Sequence, residues 1–408
     1  MNTRIKAIAA LLSAVMLTAC GSASTSKEED IPEVQIPQTT TSATTTSATT
    51  TTTAEPTVEP EPEPYYTSVE LLCAGDNLIH SPIYNQAARR AEEGENYDFS
   101  YPYQYVKDII AEADLAILNQ ETIVTDEYEP ATYPCFCTPS EMGDEMVEIG
   151  FDAVSIGNNH VLDKGEGGLI ATLDYWAQNH PQIPVYGAYR NEEDMNNIRT
   201  LTVNDITFAF LSYMEHTNGL SLPKDSECEL VYLSELELIE KQVKEAAEKY
   251  DCVIVSAHFG IETTNEISQH QYDTAQLLAD WGADIIIGTQ PHTIQSMEYL
   301  EKADGGQAFV FYCLGNFLSA QSNPYCMVEM LGQITVTKEH LSGEVTISDA
   351  GAIPLINHYD YSYSDIRVYP YSMYTEELMA SHGCDGMTFS FVDMLIEQNI
   401  PEEFLILE

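Results

Sequence analysis

From residue 67 onward, short runs of β-branched and aliphatic residues alternate with segments whose apolar residues recur every three or four positions, and few folds accommodate that alternation. Residues 69–74, 115–119, 153–156, 207–211, 252–258, 285–288 and 308–314 read as strands. Between them, 103–113, 140–149, 167–179, 234–249 and 271–281 carry helical spacing. The order of strand and helix predicts an α/β architecture. Asp304-Gly305-Gly306-Gln307 lies between two strand-like runs and predicts a hairpin turn. Neither a GxGxxG nor a GxxxxGK[ST] phosphate loop occurs. After about residue 325 the pattern changes: 328–336 and 343–348 read as a closing pair of strands, and 375–380 and 391–398 as helices. The expected layout is a main domain over 67–325 with 326–408 packed on it.

In an open α/β sheet, chemistry gathers just beyond the carboxyl ends of the strands. Here five of those ends carry polar groups. The first runs into Gly75-Asp76-Asn77, with His80 beyond; the second into Asn119-Gln120-Glu121; the third into Asn158-Asn159-His160, followed by Asp163. Later strands deliver His258-Phe259-Gly260 and Gly288-Thr289-Gln290-Pro291-His292. A single Asp or His at such a place is usually a cap or a satisfied core residue. Carboxylates, amide oxygens and imidazoles converging from five strand ends are instead the donor types that hold Mn²⁺, Zn²⁺, Fe, Mg²⁺ or Ca²⁺, and paired ions suit phosphoryl chemistry.

Charge narrows the partners. Sixteen basic residues face 65 acidic ones over 408 residues, a formal net charge of −49. Nucleic-acid binding depends on neutralising phosphates, so nucleic acid is excluded as a partner. An anionic polymer would also be repelled unless a bound cation mediated the contact.

The first 20 residues carry Arg4 and Lys6, then an apolar run, then Leu17-Thr18-Ala19-Cys20. This pattern predicts an export signal, and its end resembles the lipobox of bacterial lipoproteins, in which the cysteine is lipidated. Acyl chains on Cys20 would hold the domain on the outer face of the cell membrane. Residues 21–66 offer almost no core-forming side chains: eleven of the fifteen from Thr39 to Thr53 are Thr, and Glu-Pro repeats follow. That composition predicts an extended stalk. Of the other eight cysteines, Cys73, Cys252 and Cys313 fall in apolar runs, where cysteine serves as a small hydrophobe.

The motifs GD (75–76), NxE (119–121), NNHxxDxG (158–165), HxG (258–260), Gln271, GADxxIGxxPHxxQ (282–295) and LGNF (314–317) together resemble the CapA family of capsule and poly-γ-glutamate synthesis proteins. The resemblance covers roughly residues 68–325. It implies a four-layer fold of the metallophosphoesterase type, a β-sandwich flanked by helices, with a metal cleft at the strand ends and the tail as a C-terminal elaboration. It also implies Asp76, Glu121, Asn159, His258 and His292 as metal ligands, with His160 as the acid that protonates a leaving group. His80, Asn119 and Asn316 are second-rank candidates. Relatives carry further histidines after the glycine where this chain has Thr289 and Gln290, which weakens the expectation of a transition-metal site. Three readings follow: a lipid-anchored surface protein of capsule polymer synthesis or export, working with the polymer or its synthase complex; a metal-dependent hydrolase of phosphoester or γ-glutamyl bonds; and a catalytically silent scaffold that binds cell-wall components.

Overall fold

The computed structural model describes residues 63–407. The expected signal peptide, Cys20 and all but the last few residues of the expected stalk lie outside them. Among the described residues no helix is long and apolar enough to cross a membrane.

The first half of the chain lays down β1 (Tyr66–Asn77), α1 (Ser81–Arg90), α2 (Ser100–Tyr103), α3 (Lys107–Glu112), β2 (Leu115–Asn119), α4 (Glu141–Glu148), β3 (Ala153–Ser155), α5 (Gly165–Asn179) and β4 (Val185–Tyr186). After β5 (Ala188–Tyr189) and α6 (Glu192–Asn196) come β6 (Arg199–Val203), β7 (Ile206–Met214), β8 (Glu229–Leu230), α7 (Leu236–Lys249), β9 (Cys252–His258), α8 (Gln269–Trp281), β10 (Ile285–Thr289), β11 (Ile294–Glu301), β12 (Gln307–Leu314) and β13 (Asn316–Leu318). The chain closes with β14 (Val328–Glu339), β15 (Val345–Tyr359), β16 (Ile366–Pro370), α9 (Glu376–Ser381) and α10 (Phe389–Asn399).

These strands form two large sheets. One runs β16-β15-β14-β1-β2-β3-β4, with β13 paired to the end of β1; the other runs β11-β12-β10-β9-β7-β6. In the first sheet β1 to β4 are parallel, and in the second β7, β9, β10 and β12 are parallel. Alternation along each buried strand explains why two faces must be covered. In β9, Cys252 and Ile254 join the core between the sheets, whereas Val253, Val255 and Ala257 pack outward against Ile239 and Val243 of α7 and Leu278 of α8. β12 repeats the pattern, with Phe309 and Phe311 inward and Val310 and Tyr312 outward. The expected helix-sheet-sheet-helix layering is what the chain adopts.

Several expectations need correction. The predicted helix over 103–113 is two short helices, α2 and α3, because Gln104–Val106 form a turn that seats Val106 in the core. The predicted strand over 343–348 extends to Tyr359, since β15 pairs with β14 on one side and β16 on the other. The change of sequence pattern near 325 is not a break in the sheet: β14 pairs with β1 from Tyr66↔Glu339 to Cys73↔Gly332, at the centre of the first sheet. The hairpin at 304–307 forms as predicted between β11 and β12. All eight cysteines among the described residues are free thiols, and seven of them, Cys135 excepted, are buried.

Candidate metal centre

The parallel strands of both sheets deliver their carboxyl ends to one place. The penultimate residue of β1 is Asp76, which is fully buried. It gets there because the backbone at Gly75 runs against the Gly315 turn: Asp76 N–H donates to Gly315 O at 3.0 Å, and a Cβ on Gly75 would lie 1.9 Å from that oxygen. Asn119, the last residue of β2, donates from Nδ2 to Asp76 Oδ1 at 2.6 Å. Glu121 follows two residues later. Asn159 and His160 come from the turn after β3, His258 from the end of β9 and His292 from the turn after β10.

Glu121 is the decisive residue. It is 1% exposed, and neither of its carboxylate oxygens has a hydrogen-bond partner. Its Oε2 lies 3.7 Å from His292 Nδ1, and its Oε1 lies 3.9 Å from both His258 Nε2 and His160 Nε2. Asp76 Oδ2 is 3.1 Å from His292 Nδ1. One ligand atom each from Asp76, Glu121 and His292 fall within 4.8 Å of one another. His258 Nε2 is also 3.2 Å from Asn159 Oδ1. The five expected ligands are therefore brought together at one point.

The electrostatics are those of a cation trap. Burial and the neighbouring Asp76 charge push the Glu121 carboxyl well above the usual carboxylate range. For Asp76, burial is outweighed by His292, His258 and Asn119, which hold it below that range. Burial opposes protonation of His292, but Glu121 and Asp76 overcome it and raise the imidazole to about 9. Burial lowers His258 to about 3 and so keeps it neutral. A buried carboxylate with no donor and an acidic neighbour is costly unless a positive charge compensates it. Carboxylate, amide oxygen and neutral imidazole are donors for a divalent ion, so these residues fit one.

The second-rank candidates serve as supports. Asn119 orients Asp76, and Asn316 Oδ1 lies 3.0 Å from His292 Nδ1. Asn316 is itself held by its backbone N–H, which donates to Glu329 Oε2 at 2.6 Å. His80 instead hydrogen-bonds the backbone, its Nδ1 3.1 Å from the Leu78 carbonyl and 3.3 Å from the Ala320 N–H, and burial holds its pKa at about 4.

His160 is aimed from behind. Its Nδ1 is 2.8 Å from Asp163 Oδ2, which also accepts from Phe136 N–H at 2.6 Å, and this leaves Nε2 facing Glu121. The sequence reading gave Asp163 no role, although its spacing of three from His160 signalled one. It also missed Thr289, whose Oγ1 is 2.8 Å from His258 Nδ1, and Glu329, an acid inside an apolar run on β14. Two motif residues are braces. Gln271 closes the capping box of α8 with Ser268, and donates to Gln295 Oε1 at 2.7 Å. Gln295 in turn donates to the Thr264 and Glu266 carbonyls, fixing the 259–268 loop beside the cluster.

Residues 70–321 match the family described as "Bacterial capsule synthesis protein PGA_cap". The chain belongs to this capsule synthesis family. Two curated relatives are the PGA biosynthesis protein CapA of Bacillus subtilis (strain 168), 28% identical over 222 residues, and the capsule biosynthesis protein CapA of Bacillus anthracis, 29% identical over 235 residues. The matches cover 54% and 55% of this chain, and 57% and 55% of those proteins, so the chain spans a little over half the length of the CapA relatives it matches. Among solved structures, similarity is found to a phosphatase of Mycoplasma pneumoniae, at 12% identity and TM-score 0.42 over 72% of this chain and 95% of that one. A putative 5'-nucleotidase of Staphylococcus aureus, solved in complex with alpha-ketoglutarate, matches at 12% identity and TM-score 0.44 over 77% of this chain and 57% of that one.

Proposed function

We propose that this member of the capsule synthesis family is a metal-centred surface protein of capsule polymer synthesis or export, of the poly-γ-glutamate type, anchored to the outer face of the membrane through lipidated Cys20. The observation that carries the metal-centred part is the buried Glu121, with both oxygens lacking donors beside Asp76 and His292, inside the family-matched region. Asp76, Glu121, Asn159, His258 and His292 would hold the ion. A bound divalent ion would polarise a carbonyl or phosphoryl oxygen and would offset the repulsion between a −49 protein and a polyanion. The chain's own residues then bury the site and orient its ligands.

The test combines two measurements. The purified full chain is offered Mn²⁺, Zn²⁺, Mg²⁺ and Ca²⁺, desalted, and its metal content read by mass spectrometry beside Asp76→Ala. In a polymer-forming strain, surface polymer is measured after the gene is replaced by wild type, by Glu121→Gln or by Cys20→Ser. Retained metal, polymer lost with Glu121→Gln, and release of the Cys20→Ser protein into the medium are expected. Unchanged polymer on complete deletion of the gene would sink the capsule assignment.

One arrangement favours the hydrolase reading within the same site. Asp163 fixes the His160 ring so that Nε2 faces the cluster, which is the geometry of a positioned proton donor. If the protein is a hydrolase of phosphoester or γ-glutamyl bonds, His160→Ala removes most turnover while metal content stays unchanged. Equal turnover in the variant would discard this role.

A further inference from the structure

We propose that Gln290 is a metal ligand through its side-chain carbonyl, and that it tilts the centre towards oxygen-seeking divalent ions of the Mn²⁺ and Mg²⁺ class at the expense of Zn²⁺. The inference rests on the metal-centre reading above and extends it to the class of ion.

Four observations support it. Gln290 is 2% exposed, and its Oε1 has no hydrogen-bond partner. Its Nε2 donates to Glu262 Oε1 at 3.3 Å, which settles which end of the carboxamide is the free carbonyl. Its backbone N–H donates to Asp76 Oδ2 at 3.3 Å, so the residue adjoins a carboxylate of the cluster. Finally, Gln290 sits at φ 97° and His292 at φ 59°, on either side of Pro291. Glycine would adopt the first of these without strain, whereas a glutamine there is held against its preference. The strained backbone carries a buried carbonyl with no donor, beside the Asp76 carboxylate of the cluster.

The donor balance gives the selectivity. With Gln290 the centre offers oxygen from Asp76, Glu121, Asn159 and Gln290, against nitrogen from His258 and His292. Neutral and anionic oxygens suit Mg²⁺, Ca²⁺ and Mn²⁺, whereas added imidazole raises affinity for Zn²⁺. Thr289 adds no further ligand, because its hydroxyl is engaged with His258 Nδ1.

The experiment is a competitive titration of the purified full chain with Mn²⁺, Mg²⁺ and Zn²⁺, read by bound metal and by the Mn²⁺ resonance signal, for wild type, Gln290→His and Gln290→Gly. The histidine variant should raise the Zn²⁺-over-Mn²⁺ preference at least tenfold. The glycine variant should lose at least tenfold in Mn²⁺ affinity, while its metal-free melting temperature is unchanged or higher because the strain is relieved. If both variants stay within twofold of wild type for every ion, the inference is overturned and the metal centre stands without Gln290. If wild type retains no ion at all, the metal-centre reading fails and this one with it. Should the glycine variant not fold, the histidine variant decides alone.

Discussion

Glu121→Gln should have opposite effects with and without metal, and the structure sets the scale of both. In the metal-free protein Glu121 buries two acceptors that have no donors. Leaving such a group unpaired costs about 1–3 kcal/mol. With its pKa above the ordinary carboxylate range, the wild-type carboxyl must be buried charged or take up a proton, a cost the amide does not carry, so at neutral pH the variant should be more stable than wild type by about that amount. With metal the order reverses. An ion present at a thousand times its dissociation constant stabilises wild type by about 4 kcal/mol, and a variant that no longer binds gains nothing. The described part of the chain is about 345 residues, and at about 2.1 cal/mol/K per residue its unfolding entropy is about 0.7 kcal/mol/K. The expected shifts are therefore about +1 to +4 °C for metal-free Glu121→Gln, and about +6 °C for wild type on adding metal. Differential scanning calorimetry, with chelator and then with Mn²⁺, measures both. A wild-type melting temperature indifferent to every divalent ion, or a metal-free variant less stable than wild type, would refute the argument.

Three further outcomes follow from the structure. Burial holds His358 and His382 at about 4, so between pH 6.5 and 4 the unfolded chain binds protons that the folded chain does not. Stability should fall as pH falls through that window, by up to about 3 kcal/mol for each group; His358→Phe should flatten part of the fall in urea midpoints, and pH-independent midpoints in wild type would contradict it. Gly315→Ala should destabilise the protein by at least about 2 kcal/mol, because φ is 77° and the new Cβ would lie 2.0 Å from Glu329 Oε2; an unchanged urea midpoint would show that the turn can relax. If the site hydrolyses its substrate, Asp163→Asn should lower turnover about tenfold to a hundredfold with metal content intact, whereas loss of metal would mark Asp163 as a structural support only.

Much of the fold is legible in the chain because buried parallel strands must be apolar on both faces. The runs 115–119 and 252–258 therefore coincide with β2 and β9. The break within 103–113 is not legible, because apolar spacing alone does not reveal that Gln104–Val106 turn instead of continuing the helix. The C-terminal pair of strands is legible, but its place in the sheet is not: nothing local in 328–339 says that its other partner is β1, some 260 residues earlier. At the site, the ligand types were visible because each stands at a strand end. The supports Asp163, Thr289 and Glu329 were not, since their roles depend on which atom of a ligand they touch.

The sequence by itself determined the strand and helix order, the acidic charge and the residue types at five strand ends, because these depend on local periodicity and composition. Tertiary structure decided what those residues become. Only the stacking of two sheets with their parallel strands ending at one edge brings Asp76 and Glu121 from one sheet against His258 and His292 from the other. Only burial there strips Glu121 of every donor, which turns a set of polar strand ends into a site that calls for a cation.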